Sequence, residues 1–158
     1  MSADEDHFTA LSLHDASVVI VEDQNFVREL LSRLLASLQV RRVTTAGSAE
    51  EALTDLEQDP YLANVVLVDF ELPGMNGIRF IEKLRASQHA CLREIPVVML
   101  TGHNDIELYR HAARLGISAF LVKPAGPATL KSALEQALSG RRISVPRPAT
   151  DTGPSSES

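Results

Sequence analysis

Asn64-Val65-Val66-Leu67-Val68-Asp69 is the stretch that decides the fold. Its aliphatic run, mostly valine, has no polar alternation. A strand of this kind is covered on both faces, as in a parallel sheet; a strand with one wet face would alternate. The run stops at Asp69, and Phe70-Glu71-Leu72-Pro73-Gly74-Met75-Asn76-Gly77 follows. Pro73-Gly74 reads as a turn. Asn76-Gly77 alone would suggest a hairpin, but no second strand follows at hairpin distance.

Similar runs lie on either side. Val18-Val19-Ile20-Val21 precedes it; Ile95-Pro96-Val97-Val98-Met99-Leu100 and Ser118-Ala119-Phe120-Leu121-Val122 follow. Val40 to Ala46 reads as a weaker, more exposed strand. Between the runs the apolar spacing becomes helical. Val27, Leu30, Leu31, Leu34, Leu35 and Leu38 mark one helix, and Ile78, Ile81 and Leu84 another. Ser48 with Glu51 forms a capping box for a helix through Leu56. A further helix spans about Asp105 to Leu115, and Leu130, Ala133, Leu134, Ala137 and Leu138 repeat before a stop at Gly140. A β-α order repeated in this way gives an α/β fold, an open parallel sheet with helices on both faces. Such folds bind ligands at the C-terminal ends of their strands.

The 158 residues suffice for one domain with its own core. A net charge of −6 disfavours sequence-independent nucleic-acid binding, and no basic run exceeds Arg41-Arg42 or Arg141-Arg142. Cys91 is the only cysteine, which excludes an intrachain disulfide and reads as a tolerated thiol. The acidic start MSADEDHF lacks the features of a signal peptide, and no run approaches the roughly 18 apolar residues of a membrane span. A cytoplasmic protein without direct nucleic-acid contact is expected. Residues 1–16 read as a flexible N-terminal extension, 17–139 as the domain, and 140–158, rich in Ser, Pro, Thr and Gly, as a disordered tail.

The strand tips carry the chemistry. The first ends in Glu22-Asp23, the third in Asp69, the fourth in Thr101 and the fifth in Lys123-Pro124. Any one could be a wet strand end. Together, three carboxylates on one rim repel one another unless a cation joins them. An oxygen-rich set without thiol or imidazole suits Mg²⁺, which keeps waters and takes further ligands from phosphate. Lys123 then supplies the counter-charge for an anion beside the metal.

This constellation, with Leu72-Pro73-Gly74-Met75-Asn76-Gly77 after Asp69, closely resembles the receiver domain of two-component response regulators, of the stand-alone, single-domain type, over roughly residues 17–139. The resemblance implies a flavodoxin-like, doubly wound, five-stranded parallel sheet of order 2-1-3-4-5. It implies that Asp69 accepts a phosphoryl group from a phosphohistidine on a sensor histidine kinase or histidine phosphotransfer protein. Asp23, Asp69 and the backbone carbonyl of Glu71 would ligate Mg²⁺, with Glu22 in the outer shell or acting through water. Lys123 and Thr101 would contact phosphoryl oxygens. Thr101 and Phe120 would form the switch, and residues 104–139, the fourth helix, fifth strand and fifth helix, would present the output face to a downstream protein. Glu71 and His103 would set the lifetime of the phosphorylated state. A bulky anion at Glu71 could obstruct an attacking water or equally repel the incoming donor; slow self-dephosphorylation is the expectation. Lys123-Pro124 is expected to be cis, and the long connection Ser87 to Glu94 to mediate contacts.

A haloacid dehalogenase-type phosphatase needs an Asp two residues after its nucleophile, where this chain has Glu71. A P-loop nucleotidase needs G-x-x-x-x-G-K-[ST], which does not occur. An unphosphorylated binding module of the same fold would have lost some of the acidic pair, acceptor and lysine, all of which are present. A receiver fragment of a longer regulator, such as a transcription factor, leaves the domain reading intact.

Overall fold

The computed structural model describes residues 12–102 and 105–143. Five parallel strands, β1 (Ser17–Val21), β2 (Arg42–Ala46), β3 (Val65–Asp69), β4 (Val97–Thr101) and β5 (Ala119–Val122), form one sheet of order β2-β1-β3-β4-β5. Helices α1 (Asn25–Ser37), α2 (Ala49–Gln58), α3 (Gly77–Arg85), α4 (Ile106–Arg114) and α5 (Pro127–Leu138) connect and follow them. This is the open parallel sheet expected from the strand runs, in the doubly wound, flavodoxin-like order that the family resemblance implied.

The period-two alternation of the strands divides the core into two layers. Val19, Val21, Val66, Val68, Val97 and Met99 face Leu56 of α2, Phe80, Ile81 and Leu84 of α3, and Ala112 of α4. Val18, Ile20, Val65, Leu67, Val98 and Leu100 face Leu31 and Leu35 of α1 and Leu130, Leu134 and Ala137 of α5. β1, β3 and β4 are buried along their whole length, which is why their sequences show no polar alternation. β2 is an edge strand with one buried residue, Ala46. Burying one of the core leucines contributes about 1.5–3 kcal/mol.

Several boundaries differ from the sequence reading for local reasons. β2 starts at Arg42 because Val40 serves to close α1: Gln39 takes φ 63°, and the Val40 N–H donates to Leu35 O at 3.2 Å. Gly140 ends α5 in the same way, with φ 83° and the Arg141 N–H on Gln136 O at 3.2 Å. The connection from Ser87 to Glu94 contains a helical turn, Ala90–Arg93, and is tied internally by Arg93 Nη1 to Ser87 O at 2.9 Å. The Cys91 thiol is half-buried and points to Pro60 O at 3.4 Å. The Lys123-Pro124 peptide is cis.

Ordered chain also extends past both expected domain limits. A 3-10 turn, Leu13–Asp15, buries Leu13 in the α1/α5 layer, and Ala16 O accepts from Arg42 N at 3.2 Å. After α5 the chain returns to the sheet: the Ile143 N–H donates to Ile117 O at 3.0 Å, and Arg142 donates to Gly116 O. Neither attachment has a periodic sequence signal. Residues 1–11 and 144–158 of the two expected terminal segments lie outside the described residues. No described helix is long and apolar enough to cross a membrane.

Candidate functional site

Parallel strands carry their last residues to one rim, and side-chain parity decides which groups meet there. Glu22, Asp69 and Lys123 continue the parity of Ile20, Leu67 and Leu121, on the α1/α5 side. Lys123 Nζ lies 2.6 Å from Asp69 Oδ2 and 3.7 Å from Glu22 Oε1. Ligand oxygens of Glu22, Asp23 and Asp69 lie within 4.8 Å of one another. Glu22 is fully buried, Asp69 is 3% exposed and Asp23 is half-buried. Thr101, fully buried at the tip of β4, has the opposite parity and follows Leu100, the cross-strand partner of Asp69.

Backbone donors hold two of these carboxylates. Asp69 Oδ1 accepts from Glu71 N at 3.0 Å, and Glu22 Oε2 accepts from Gln24 N at 3.1 Å. Arg28, one turn into α1, donates from Nη1 to Glu22 O at 2.8 Å and fixes the loop bearing Glu22 and Asp23. The other Glu22 oxygen, Oε1, is buried without a hydrogen-bond partner. Burial raises the Glu22 carboxyl to about 7; the Gln24 N–H and Lys123 charge oppose this, while contact with Asp69 reinforces it. Burial alone would lower the Lys123 ammonium, but its Asp69 hydrogen bond and the charges of Asp69, Glu22 and Glu71 leave it raised.

An orphaned buried carboxylate oxygen beside two further carboxylates is a costly arrangement for the protein alone. It suits a hard divalent cation, and the donor set fits Mg²⁺: carboxylates and carbonyls, with a half-buried residue, Asp23, leaving room for water. The loop after Asp69 is shaped to match. Phe70 O accepts from Leu72 N at 3.1 Å and Gly77 N at 3.0 Å. A Cβ on Gly77 would lie 2.8 Å from Asp69 O and 2.9 Å from Phe70 Cα, so only glycine lets the N-terminus of α3 come this close.

Glu71 is exposed and reaches across the site, its Oε1 being 3.3 Å from where a Cβ on Gly102 would stand. His103 lies outside the described residues. Phe120, half-buried on β5, packs edge-on against Tyr109 of α4 with ring centroids 5.4 Å apart and an interplanar angle of 77°. The sequence reading named the strand-tip residues. It missed Arg28, which reaches a main-chain oxygen and carries no motif.

Comparisons with known proteins agree with this fold. A family model described as the response regulator receiver domain matches residues 18–135. The probable chemotaxis protein CheY of Rhizobium etli is 33% identical over 118 residues, 75% of this chain and 88% of its own. The sensory/regulatory protein RpfC of Xanthomonas campestris is 32% identical over 130 residues, but the match covers only 18% of RpfC. The solved structure of chemotaxis protein CheY4 of Vibrio cholerae superposes with a TM-score of 0.71 at 28% identity, covering 78% of this chain and 99% of CheY4.

Proposed function

Because this chain belongs to the response regulator receiver domains of two-component signalling, we propose that Asp69 is its phosphoacceptor and that phosphorylation there changes the α4-β5-α5 surface. The observation that carries this reading is Asp69 itself. It is a nearly buried carboxylate at the tip of the central strand, flanked by two acidic residues and capped by a lysine at 2.6 Å.

Asp23, Asp69 and the Glu71 carbonyl would hold Mg²⁺, with Glu22 one shell further out. The bound cation would supply charge neutralisation for the phosphoryl oxygens and the acidic rim. The steps belong to the chain. An Asp69 carboxylate oxygen attacks the phosphorus of a phosphohistidine; the O–P bond forms, the P–N bond breaks, and the leaving imidazole takes up a proton. Lys123 transfers its hydrogen bond from Asp69 to a phosphoryl oxygen, where a compact ammonium binds well. The Thr101 hydroxyl donates to another. Attack of water on the aspartyl phosphate resets the switch, and Glu71 stands where it hinders that approach.

The donor is a sensor histidine kinase or a histidine phosphotransfer protein. Phe26 and Leu30, exposed on α1 just beyond Asp23, offer apolar surface beside the site for that partner. Output is a protein–protein contact through α4, β5 and α5, with Thr101 and Phe120 as the moving parts.

Incubation of the full chain with acetyl phosphate and Mg²⁺, followed by intact-mass spectrometry, tests the acceptor. One phosphoryl adduct, absent in Asp69→Asn and after chelation, is expected. An adduct that persists in Asp69→Asn places the acceptor elsewhere.

A further inference from the structure

We propose that Glu50, on α2, is a positioning residue for the phosphoacceptor loop: its carboxylate holds the Met75 amide and so fixes the backbone that presents the Glu71 carbonyl. This rests on the metal reading given above.

The loop from Phe70 to Asn76 is pinned at its two ends, by Asp69 Oδ1 on Glu71 N at 3.0 Å and by Phe70 O on Gly77 N at 3.0 Å. Its outer arc is also tied to α2: Glu50 Oε2 accepts from Met75 N at 3.2 Å, across 25 positions of sequence. Gly74 makes the approach possible. It takes φ +76°, and a Cβ there would stand 3.0 Å from Glu50 Oε2.

Glu50 is free to make this contact because the cap of α2 does not need it. Ser48 Oγ, at the N-cap, accepts from Glu51 N at 3.0 Å, and Glu51 Oε1 reaches back to Gly47 N, one residue before the cap, at 2.9 Å. A carboxylate in the first turn is further favoured by the helix dipole. The sequence puts Glu50 and Glu51 side by side with the same chemistry; the fold gives one to the helix and the other to the loop.

The test compares Mg²⁺ binding of wild type, Glu50→Ala and Glu50→Gln, read from backbone amide shifts, with Met75 amide exchange and thermal midpoints measured in parallel. Glutamine keeps the oxygen acceptor and removes the charge. The expected result is about fivefold weaker Mg²⁺ binding in Glu50→Ala, the loss of one ordinary hydrogen bond. Met75 exchange should quicken in Glu50→Ala, and Glu50→Gln should stay near wild type. Equal weakening in both variants assigns the effect to charge and overturns the inference, as does unchanged affinity in Glu50→Ala. Failure of wild type to bind Mg²⁺ is a different outcome: it overturns the metal reading, and with it any role for Glu50 in metal binding.

Discussion

Lys123 Nζ stands 2.6 Å from Asp69 Oδ2 across 54 positions of sequence, and a mere 3.7 Å from Glu22 Oε1. One ammonium therefore faces two carboxylates that burial has removed from water. It holds the acidic rim together and is in place to meet an incoming anion.

Removing that ammonium should impair phosphoryl transfer strongly. A hydrogen bond to a charged group contributes about 1.5–3 kcal/mol, which corresponds to roughly ten- to a hundredfold in rate. Lys123→Ala should slow adduct formation from acetyl phosphate by that factor in stopped-flow or mass measurements. An unchanged rate would remove Lys123 from the machinery.

Metal-free stability should depend on pH through Glu22. Burial lifts its carboxyl to about 7 in the fold, against 4.5 for an unperturbed group. Between these values the folded chain binds the extra proton. The contribution favours folding fully below the unfolded value and is lost as pH rises through about 7. Urea midpoints in EDTA should fall from pH 5 to pH 8, and Glu22→Gln should flatten that slope. Mg²⁺ should stabilise the protein more at pH 8 than at pH 6.

Glu71→Ala should shorten the life of the phosphorylated protein. The Glu71 side chain spans from the loop after Asp69 to Gly102, beside Lys123, on the approach proposed for the attacking water. A several-fold faster loss of the adduct in Mg²⁺ buffer is expected; an unchanged or slower loss would show that the anion is no obstacle.

Gly77→Ala should damage the site more than the core. Its new Cβ would meet backbone, at 2.8 Å from Asp69 O and 2.9 Å from Phe70 Cα, and neither atom can yield without moving Asp69. Mg²⁺ affinity and phosphorylation should both fall. A variant with normal affinity and a normal rate would show that the loop tolerates the shift.

Arg85 should be a stability residue rather than a site residue. Its guanidinium donates to Leu115 O at 2.7 Å, Ile95 O at 2.8 Å, and Arg93 O and Gly116 O at 3.2 Å each. Burial, with the nearby charge of Arg142, lowers it to about 10, so it stays charged at neutral pH. Arg85→Ala leaves the Leu115, Ile95 and Arg93 carbonyls without this donor, Gly116 O keeping Arg142, and should cost about 3 kcal/mol in urea unfolding. Arg85→Lys should recover little, since an ammonium cannot reproduce the fork. Arg142 is more exposed, and Arg142→Ala should cost less.

The sequence by itself determined the parallel sheet, the position of each strand tip and the residue types delivered there. Unbroken runs such as Val65–Val68 are properties of adjacent residues, and so is the rule that a β-α chain brings every strand end to one rim. The tertiary structure decided which of the delivered groups touch. Asp69 meets Lys123 because strand parity points both side chains to the same face of the sheet. Glu50 and Glu51 divide their roles because only the fold brings Met75 to one of them. Arg28 on Glu22 O, Arg85 on four carbonyls and Ile143 on Ile117 all end on main-chain oxygens. Main-chain oxygens are the same at every position, so no pattern in the sequence marks which one a distant side chain will reach.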